Sequence, residues 1–263
     1  MTHAVLLSAG QGRRLSPLTD SKPKCLVSVA GATILDWQLR ALGACGIQDV
    51  TVVTGFGSEA VEASLKVGSS DLNTSVLFNP FYKVADNIGS CWMARDLIRT
   101  DCLLINGDTL FDPRVLAKVL ETAKSPISVT IDRKATYDSD DMKVKLDAGR
   151  LARIGKTLTG RIDGESIGLL QFRNGGGAAF VDRMEHLLRD QAALGLWYLS
   201  VIDRLAGDAE APEVGTVSIE GLPWAEIDFP HDLPVASERV AGFDWHAVPS
   251  ADRDAPVVHS AAS

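Results

Sequence analysis

Short apolar runs alternate with amphipathic stretches along the first half of this chain. Ala4 to Leu7 is an unbroken apolar run that ends in a glycine-containing loop, the pattern of a buried strand. From Ile34 to Cys45 the apolar residues (Ile34, Leu35, Trp37, Leu39, Ala41, Leu42) recur at three- and four-residue spacing, which predicts a helix with Gly46 as its stop. Val50 to Val53 predicts a second strand, Glu59 to Leu65 a helix, Val76 to Phe78 a strand and Ser90 to Ile98 a helix. Cys102 to Ile105 is a fully apolar strand that runs into Asn106-Gly107-Asp108. Strands separated by helices imply a parallel sheet with right-handed crossovers.

The second half has a different rhythm. Ile127 to Ile131 predicts a strand, and Val144–Leu146 and Leu151–Ile154 flank Asp147-Ala148-Gly149 as a β-hairpin would. Ile167 to Phe172 reads as another strand, Ala178 to Leu194 and Trp197 to Leu205 as helices, and Thr216 to Ile219 as a last strand. The arrangement that accommodates these elements is one α/β domain over residues 1–239, with a small β-rich lid inserted at about residues 132–170. From about Val240 to Ser263 the chain reads as a loosely held tail.

Composition narrows the picture. With 46% hydrophobic and 23% charged residues in a chain of 263, it is an ordinary globular protein with enough length for a substantial core. The longest apolar runs fall short of the ~20 residues of a membrane helix. Met1-Thr2-His3 leads straight into the first strand without the basic flank and apolar core of a signal sequence. The four cysteines (25, 45, 91 and 102) lack CxxC spacing, as expected of reduced thiols in a cytoplasmic protein. A net charge of -8 argues against a general nucleic-acid binder, which needs a broad basic face.

Within that acidic chain, Arg13, Arg14, Lys22 and Lys24 stand against the single Asp20, a local charge of +3. Glycines beside them let backbone N–H groups approach a ligand and form an anion-binding concavity. The combination points to a small polyanion such as a nucleoside triphosphate. Neither of two familiar phosphate loops fits. No G-x-x-x-x-G-K-[ST] string follows Gly10 or Gly12, and Leu15 stands where a dinucleotide fingerprint needs its third glycine.

The string Leu7-Ser8-Ala9-Gly10-Gln11-Gly12-Arg13-Arg14-Leu15, with Lys22-Pro23-Lys24-Cys25-Leu26-Val27, resembles the signature of the nucleotidyltransferases that join an NTP to a phosphorylated small molecule. The resemblance runs to about Leu233 and implies a Rossmann-like, mixed but mostly parallel sheet flanked by helices. It implies that Ser8 to Arg13 wrap the triphosphate, that Arg14 contacts the phosphates, and that Lys24 sits at the reacting phosphorus. Asp108 closes an apolar strand, so it projects at the carboxyl edge of the sheet, where ligands of open α/β sheets bind. By position alone it could equally cap the next helix. The resemblance makes it a Mg²⁺ ligand and pairs it with Asp228, from which 120 positions separate it. Glu226 is a neighbour that could compete for that role, since strand alternation points it to the same face as Asp228. Asp232 reads as a helix-capping bystander.

Asn87-Ile88-Gly89-Ser90 reads locally as a helix start, and the resemblance adds that Asn87 and Ser90 lie beside the base. Lys156 is implied near the acceptor phosphate and Glu165 beside the acceptor head group. Trp197 and Tyr198 are available for a quaternary ammonium, although aromatics at helical spacing more often belong to a core. The acidic cluster Asp138, Asp140 and Asp141 beside Tyr137 is ambiguous and is compatible with a solvated loop. The implied reaction is in-line attack of an acceptor oxygen on the α-phosphorus of CTP, with pyrophosphate leaving and no membrane or nucleic-acid partner. Asn87 to Arg95 together with Gly164 to Gly168 looks most like the phosphocholine cytidylyltransferase branch, with phosphonate, inositol 1-phosphate and sugar 1-phosphate acceptors as alternatives. A glycosyltransferase would offer an Asp-x-Asp pair, where this chain has Asn106-Gly107-Asp108. A non-catalytic regulator would lack the lysine or the metal acids, and all three are present. Oligomers are compatible with this reading.

Overall fold

The computed structural model describes residues 2–68 and 71–246. β1 (His3–Ser8) buries Ala4, Val5 and Leu6 completely, and a glycine loop follows it. β2 (Ser28–Val29) and β3 (Ala32–Thr33) form a short hairpin leading into α1 (Ile34–Ala44). Thr33 and Asp36 cap this helix reciprocally, each side chain accepting from the other's backbone N–H at 3.0 Å. β4 (Asp49–Thr54), α2 (Ser58–Val67) and β5 (Asn73–Phe78) follow as the apolar pattern predicts. The helix predicted over 90–98 starts earlier and breaks at Ala94 into α3 (Asn87–Met93) and α4 (Arg95–Ile98).

Beyond β6 (Cys102–Asn106) come two elements that the apolar pattern alone did not reveal: β7 (Thr109–Phe111) and α5 (Pro113–Thr122). The signals for α5 are present: Asp112 accepts from Arg114 N–H at 2.8 Å, proline occupies the first turn, and Val115, Leu116 and Val119 are buried. β8 (Ile127–Asp132), the hairpin of β9 (Lys143–Asp147) and β10 (Arg150–Ile154), and β11 (Gly164–Phe172) come next. α6 (Gly176–Leu187) is shorter than predicted, because Asp190 caps a separate turn over Gln191–Gly195. The chain then forms α7 (Leu199–Ala206), β12 (Val214–Ser218), β13 (Trp224–Glu226) and α8 (Asp232–Ala241).

Among the described residues, nine strands form one mixed sheet in the order β5-β4-β1-β6-β11-β8-β12-β10-β9. Only β11 and β10 run against the rest, since β6 and β8 are antiparallel to β11, and β12 and β9 to β10. The lid expected at about 132–170 is therefore not a separate layer. Its hairpin extends the main sheet, and β11 is a central strand, so only the loops 133–142 and 155–163 stand free of the ladder. One apolar layer packs Val5, Val53 and Leu104 beneath α3, α6 and α7, and the other packs Leu6, Val52 and Ile105 beneath α1 and α5.

A smaller ladder matters most for the site. β13 pairs antiparallel with β7, Glu226 lies opposite Thr109, and Ile227 N–H donates to the Asp108 carbonyl at 3.2 Å. This pairing brings the chain's two distant acids together. The tail expected from about Val240 starts later than that. Val240 and Phe243 are buried in a third cluster with Leu15, Val29 and Ile227, and Trp245 stacks on Trp37 with centroids 5.5 Å apart. The rest of that tail, 247–263, lies outside the described residues. Among the described residues no helix is long and apolar enough to cross a membrane.

Candidate active site

The glycine loop leaves the carboxyl end of β1 and is pinned from both sides. Phe56 N–H donates to Ala9 O at 3.0 Å, and Thr19 Oγ1 donates to Gly12 O at 2.7 Å. Gly12 adopts φ +74°, and a Cβ there would lie 2.8 Å from Cβ of Lys24. Only glycine lets the loop cross the lysine stem this closely. That packing fixes where the Lys24 ammonium can reach.

Lys24 Nζ donates to Asp108 Oδ2 and Asp228 Oδ1, each at 2.7 Å. Arg14 Nη2 lies 2.8 Å from Asp228 Oδ2, and its guanidinium sits 5.0 Å from the Phe229 ring centroid. Burial alone would pull the Lys24 ammonium below its ordinary value, but the two carboxylates outweigh it and hold the pKa raised. Burial would likewise raise Asp228, and Lys24 and Arg14 overcome it, so its carboxyl is held low. Asp232 Oδ2 accepts the backbone N–H groups of Asp228 and Phe229 at 2.8 and 2.7 Å. The expected bystander therefore shapes the turn that presents Asp228.

Two cavities flank this cluster. One, of about 320 Å³, is lined by Ala9, Gly10, Asn79, Asn87, Ser90 and Asp108 among others. The other, of about 450 Å³, is lined by eight carboxylates, Asp228 and Glu226 among them, against the side chains of Lys134, Arg239 and His231. Asp108 thus borders the first cavity and Asp228 the second, with Lys24 bonded to both.

Glu226 is open to the second cavity. The like charges of Asp108 and Asp228 hold its carboxyl raised above its ordinary value. Deeper in, Glu165 is 5% exposed and lies 2.8 Å from Lys134 Nζ, which also reaches Asp141 at 2.8 Å. Burial, joined by Asp141, raises Glu165 to about 7 against the pull of Lys134. Asp140 bridges two cations, with Arg14 Nη1 at 3.3 Å and Lys156 Nζ at 3.1 Å. Lys156 Nζ lies 4.3 Å from the Trp197 ring centroid, and Trp197 Nε1 donates to Asp86 at 2.9 Å.

Arg14, Lys24, Asp108, Asp228, Lys156, Glu165, Asn87 and Ser90 all lie in or beside these cavities. Ser8, Gln11, Gly12 and Arg13 line neither cavity; Ser8 is buried and Arg13 exposed. Tyr198, expected at the acceptor, is instead fully buried among core residues, with its hydroxyl donating to Asn106 Oδ1 at 3.2 Å. Its place one residue before α7 turns it inward onto Phe180. The sequence reading missed Asn79 and Asn106 and left Asp140 undecided. Asn106 ends β6 and Asn79 directly follows β5, at the same sheet edge as Asp108, and that position was the signal available.

A family model described as a MobA-like NTP transferase domain matches residues 4–154. CMP-5'-(3-aminopropyl)phosphonate synthase of Streptomyces rubellomurinus is 29% identical over 249 residues, covering 90% of this chain and 38% of that protein. The chain spans 38–54% of the length of three curated relatives it matches and the full length of a fourth. Two solved structures share the fold at 18% identity. The inositol-1-phosphate CTP transferase of T. maritima aligns with a TM-score of 0.76 over 93% of this chain and 98% of its own. The CTP:phosphocholine cytidylyltransferase of Streptococcus pneumoniae aligns with 0.72 over 91% and 99%.

Proposed function

This chain belongs to the MobA-like NTP transferase family, and we propose that it transfers CMP from CTP to a small phosphate or phosphonate that carries an ammonium group, releasing pyrophosphate. The observation that carries this reading is the Lys24 ammonium shared between Asp108 and Asp228 where two chemically different cavities meet. The smaller cavity, edged by the glycine loop and neutral amides, takes the nucleotide. The larger, acid-lined one takes the acceptor, and its carboxylates suit a cationic head group. The relative named for an aminopropyl phosphonate product agrees with that choice of acceptor.

The residues at the boundary also fit a divalent cation. Asp108 Oδ1 is buried and has no protein partner, and the donors present are hard carboxylate oxygens. Mg²⁺ bound by Asp108 and Asp228 would supply neutralising charge at the triphosphate. The chain's own residues do the rest. Lys24 exchanges a carboxylate for a phosphoryl oxygen of the transferred group, one charge-assisted bond for another. Arg14 and Lys156 exchange Asp140 for substrate phosphates in the same way. The pinned glycine loop holds the nucleotide in line, so rate comes from alignment and charge stabilisation.

An inositol 1-phosphate acceptor is the second reading, favoured by the fold neighbour with that substrate and by carboxylates that accept from hydroxyls as well as from ammonium. A pyrophosphate-release assay separates the two. It crosses CTP, UTP, ATP, GTP and dTTP with 2-aminoethylphosphonate, phosphocholine, inositol 1-phosphate and glucose 1-phosphate, with Mg²⁺ or with EDTA. Turnover confined to CTP, Mg²⁺ and an amino-bearing acceptor is expected, and Lys24→Ala should lower it by roughly 10²–10³. Turnover with inositol 1-phosphate alone would move the chain to the second reading. Near-normal turnover by Lys24→Ala would overturn the mechanism.

A further inference from the structure

The smaller cavity presents two side chains whose hydrogen-bond polarity is fixed from behind. Asn87 Oδ1 accepts the Tyr198 backbone N–H at 2.8 Å, so its amide turns the NH₂ group away and offers only donors. A backbone N–H can only donate, which sets the amide's orientation without ambiguity. Asn79 is held in the same manner. Its Oδ1 accepts the Phe81 backbone N–H at 2.8 Å, its own N–H donates to Thr54 O at 2.7 Å, and its Nδ2 donates to Ser90 Oγ at 3.1 Å.

Asn79 is fully buried and Ser90 is 4% exposed. Ser90 Oγ thus spends one lone pair on Asn79, and among the described residues its proton has no acceptor. A buried hydroxyl with an unplaced proton is costly, so the proton goes to whatever fills the cavity. Accepting from a ligand N–H with the second lone pair would leave that proton stranded.

We infer that Asn79 is the specificity-setting residue of the nucleotide cavity, a positioning residue that makes Ser90 a donor and so selects cytosine over uracil. The inference rests on the proposed cytidylyl transfer and deepens it. Cytosine presents adjacent acceptors at N3 and O2, which match the donors Ser90 and Asn87. Uracil carries a proton at N3, and a donor facing it meets another donor.

The test is the ratio of CTP to UTP, measured both as equilibrium affinity by calorimetry and as kcat/KM, in the full chain with Mg²⁺. Wild type should favour CTP by at least about tenfold. Asn79→Ala frees Ser90 to turn its proton away from the base, and the ratio should fall by about tenfold. Asn79→Asp, as a carboxylate, keeps the Phe81 anchor and takes the Ser90 proton. It should lower the ratio further by improving UTP. In a Ser90→Ala background neither change should alter the ratio further. A purely structural role would weaken both nucleotides equally and leave the ratio unmoved, which would overturn the inference; thermal melting identifies any variant that does not fold. Wild type that prefers UTP or a purine nucleotide would refute the cytidylyl reading itself. CTP preference retained in both Asn79 variants would refute only the role of Asn79.

Discussion

Glu165 shows how a single buried acid constrains this protein. It sits at 5% exposure with Lys134 on one oxygen and Asp141 beside it. Burial and then Asp141 lift its carboxyl to about 7 from an ordinary 4.5, while Lys134 pulls the other way. The folded state therefore prefers the protonated acid more than the unfolded state does. Its stabilising contribution is full below about pH 4.5 and is lost as pH rises through 7. Glu165→Gln, which keeps the shape and cannot ionise, should remove that loss. Melting temperatures of wild type and Glu165→Gln should converge near pH 5, and the variant should melt higher at pH 8. A variant that loses stability equally at both values would mean that the Lys134 pair outweighs burial. The resemblance singled out Glu165, and the structure puts it in the lining of the larger cavity, but its partner was not legible. Lys134 and Glu165 are 31 positions apart, and only the pairing of β11 with β8 brings them together.

At the scale of elements, the pattern of apolar positions located most strands and failed where tertiary pairing decides. β1, β4, β6 and the β9–β10 hairpin are legible because each is a compact apolar or β-branched run bounded by turn residues. β7 and β13 are three residues each, too short for a period, and exist through their mutual ladder. β11 carries a bulge between Ser166 and Leu170, where Gly168 at φ +74° leaves space for the Asn106 amide, and no local signal tied that glycine to Asn106. The segment after α8 is the clearest correction. Gly242 looks like the start of a tail, yet Phe243 is 7% exposed and Trp245 lies between Trp37 and Phe243. That cluster also holds Leu15 and Ile227, next to Arg14 and Asp228. Phe243→Ala should therefore cost on the order of 3 kcal/mol in stability, read by denaturant unfolding, with activity per folded molecule largely kept. A loss of only a few tenths would mark the segment as loosely held after all.

Across the whole molecule the decisive quantity is where charge sits rather than how much there is. Under the proposed reaction, a protein of net charge -8 would admit a triphosphate and a second anion to one site. Its cations Arg14 and Lys24 are kept beside carboxylates, which substrate oxygens would replace in that reaction. The second cavity gathers eight carboxyl groups; Glu165 and Glu226 are held raised, and the six aspartates make a field that would repel the phosphoryl end of an acceptor and attract an ammonium at its far end. The contribution of the ammonium can be isolated by comparing 2-aminoethylphosphonate with ethylphosphonate, which differ only in that group. Salt affects their shared phosphonate alike, so the ratio of their kcat/KM values reports the head group. If the acid cavity acts through its field, the advantage of the amino compound should shrink severalfold between about 0.05 and 0.5 M salt, as the screening length falls from roughly 14 to 4 Å. A ratio that exceeds one but is insensitive to salt would instead indicate a desolvated contact with one carboxylate, with Glu165 as the residue to replace. A ratio near one at every salt concentration would show that the cavity does not read charge, and the hydroxyl-bearing acceptors would take precedence.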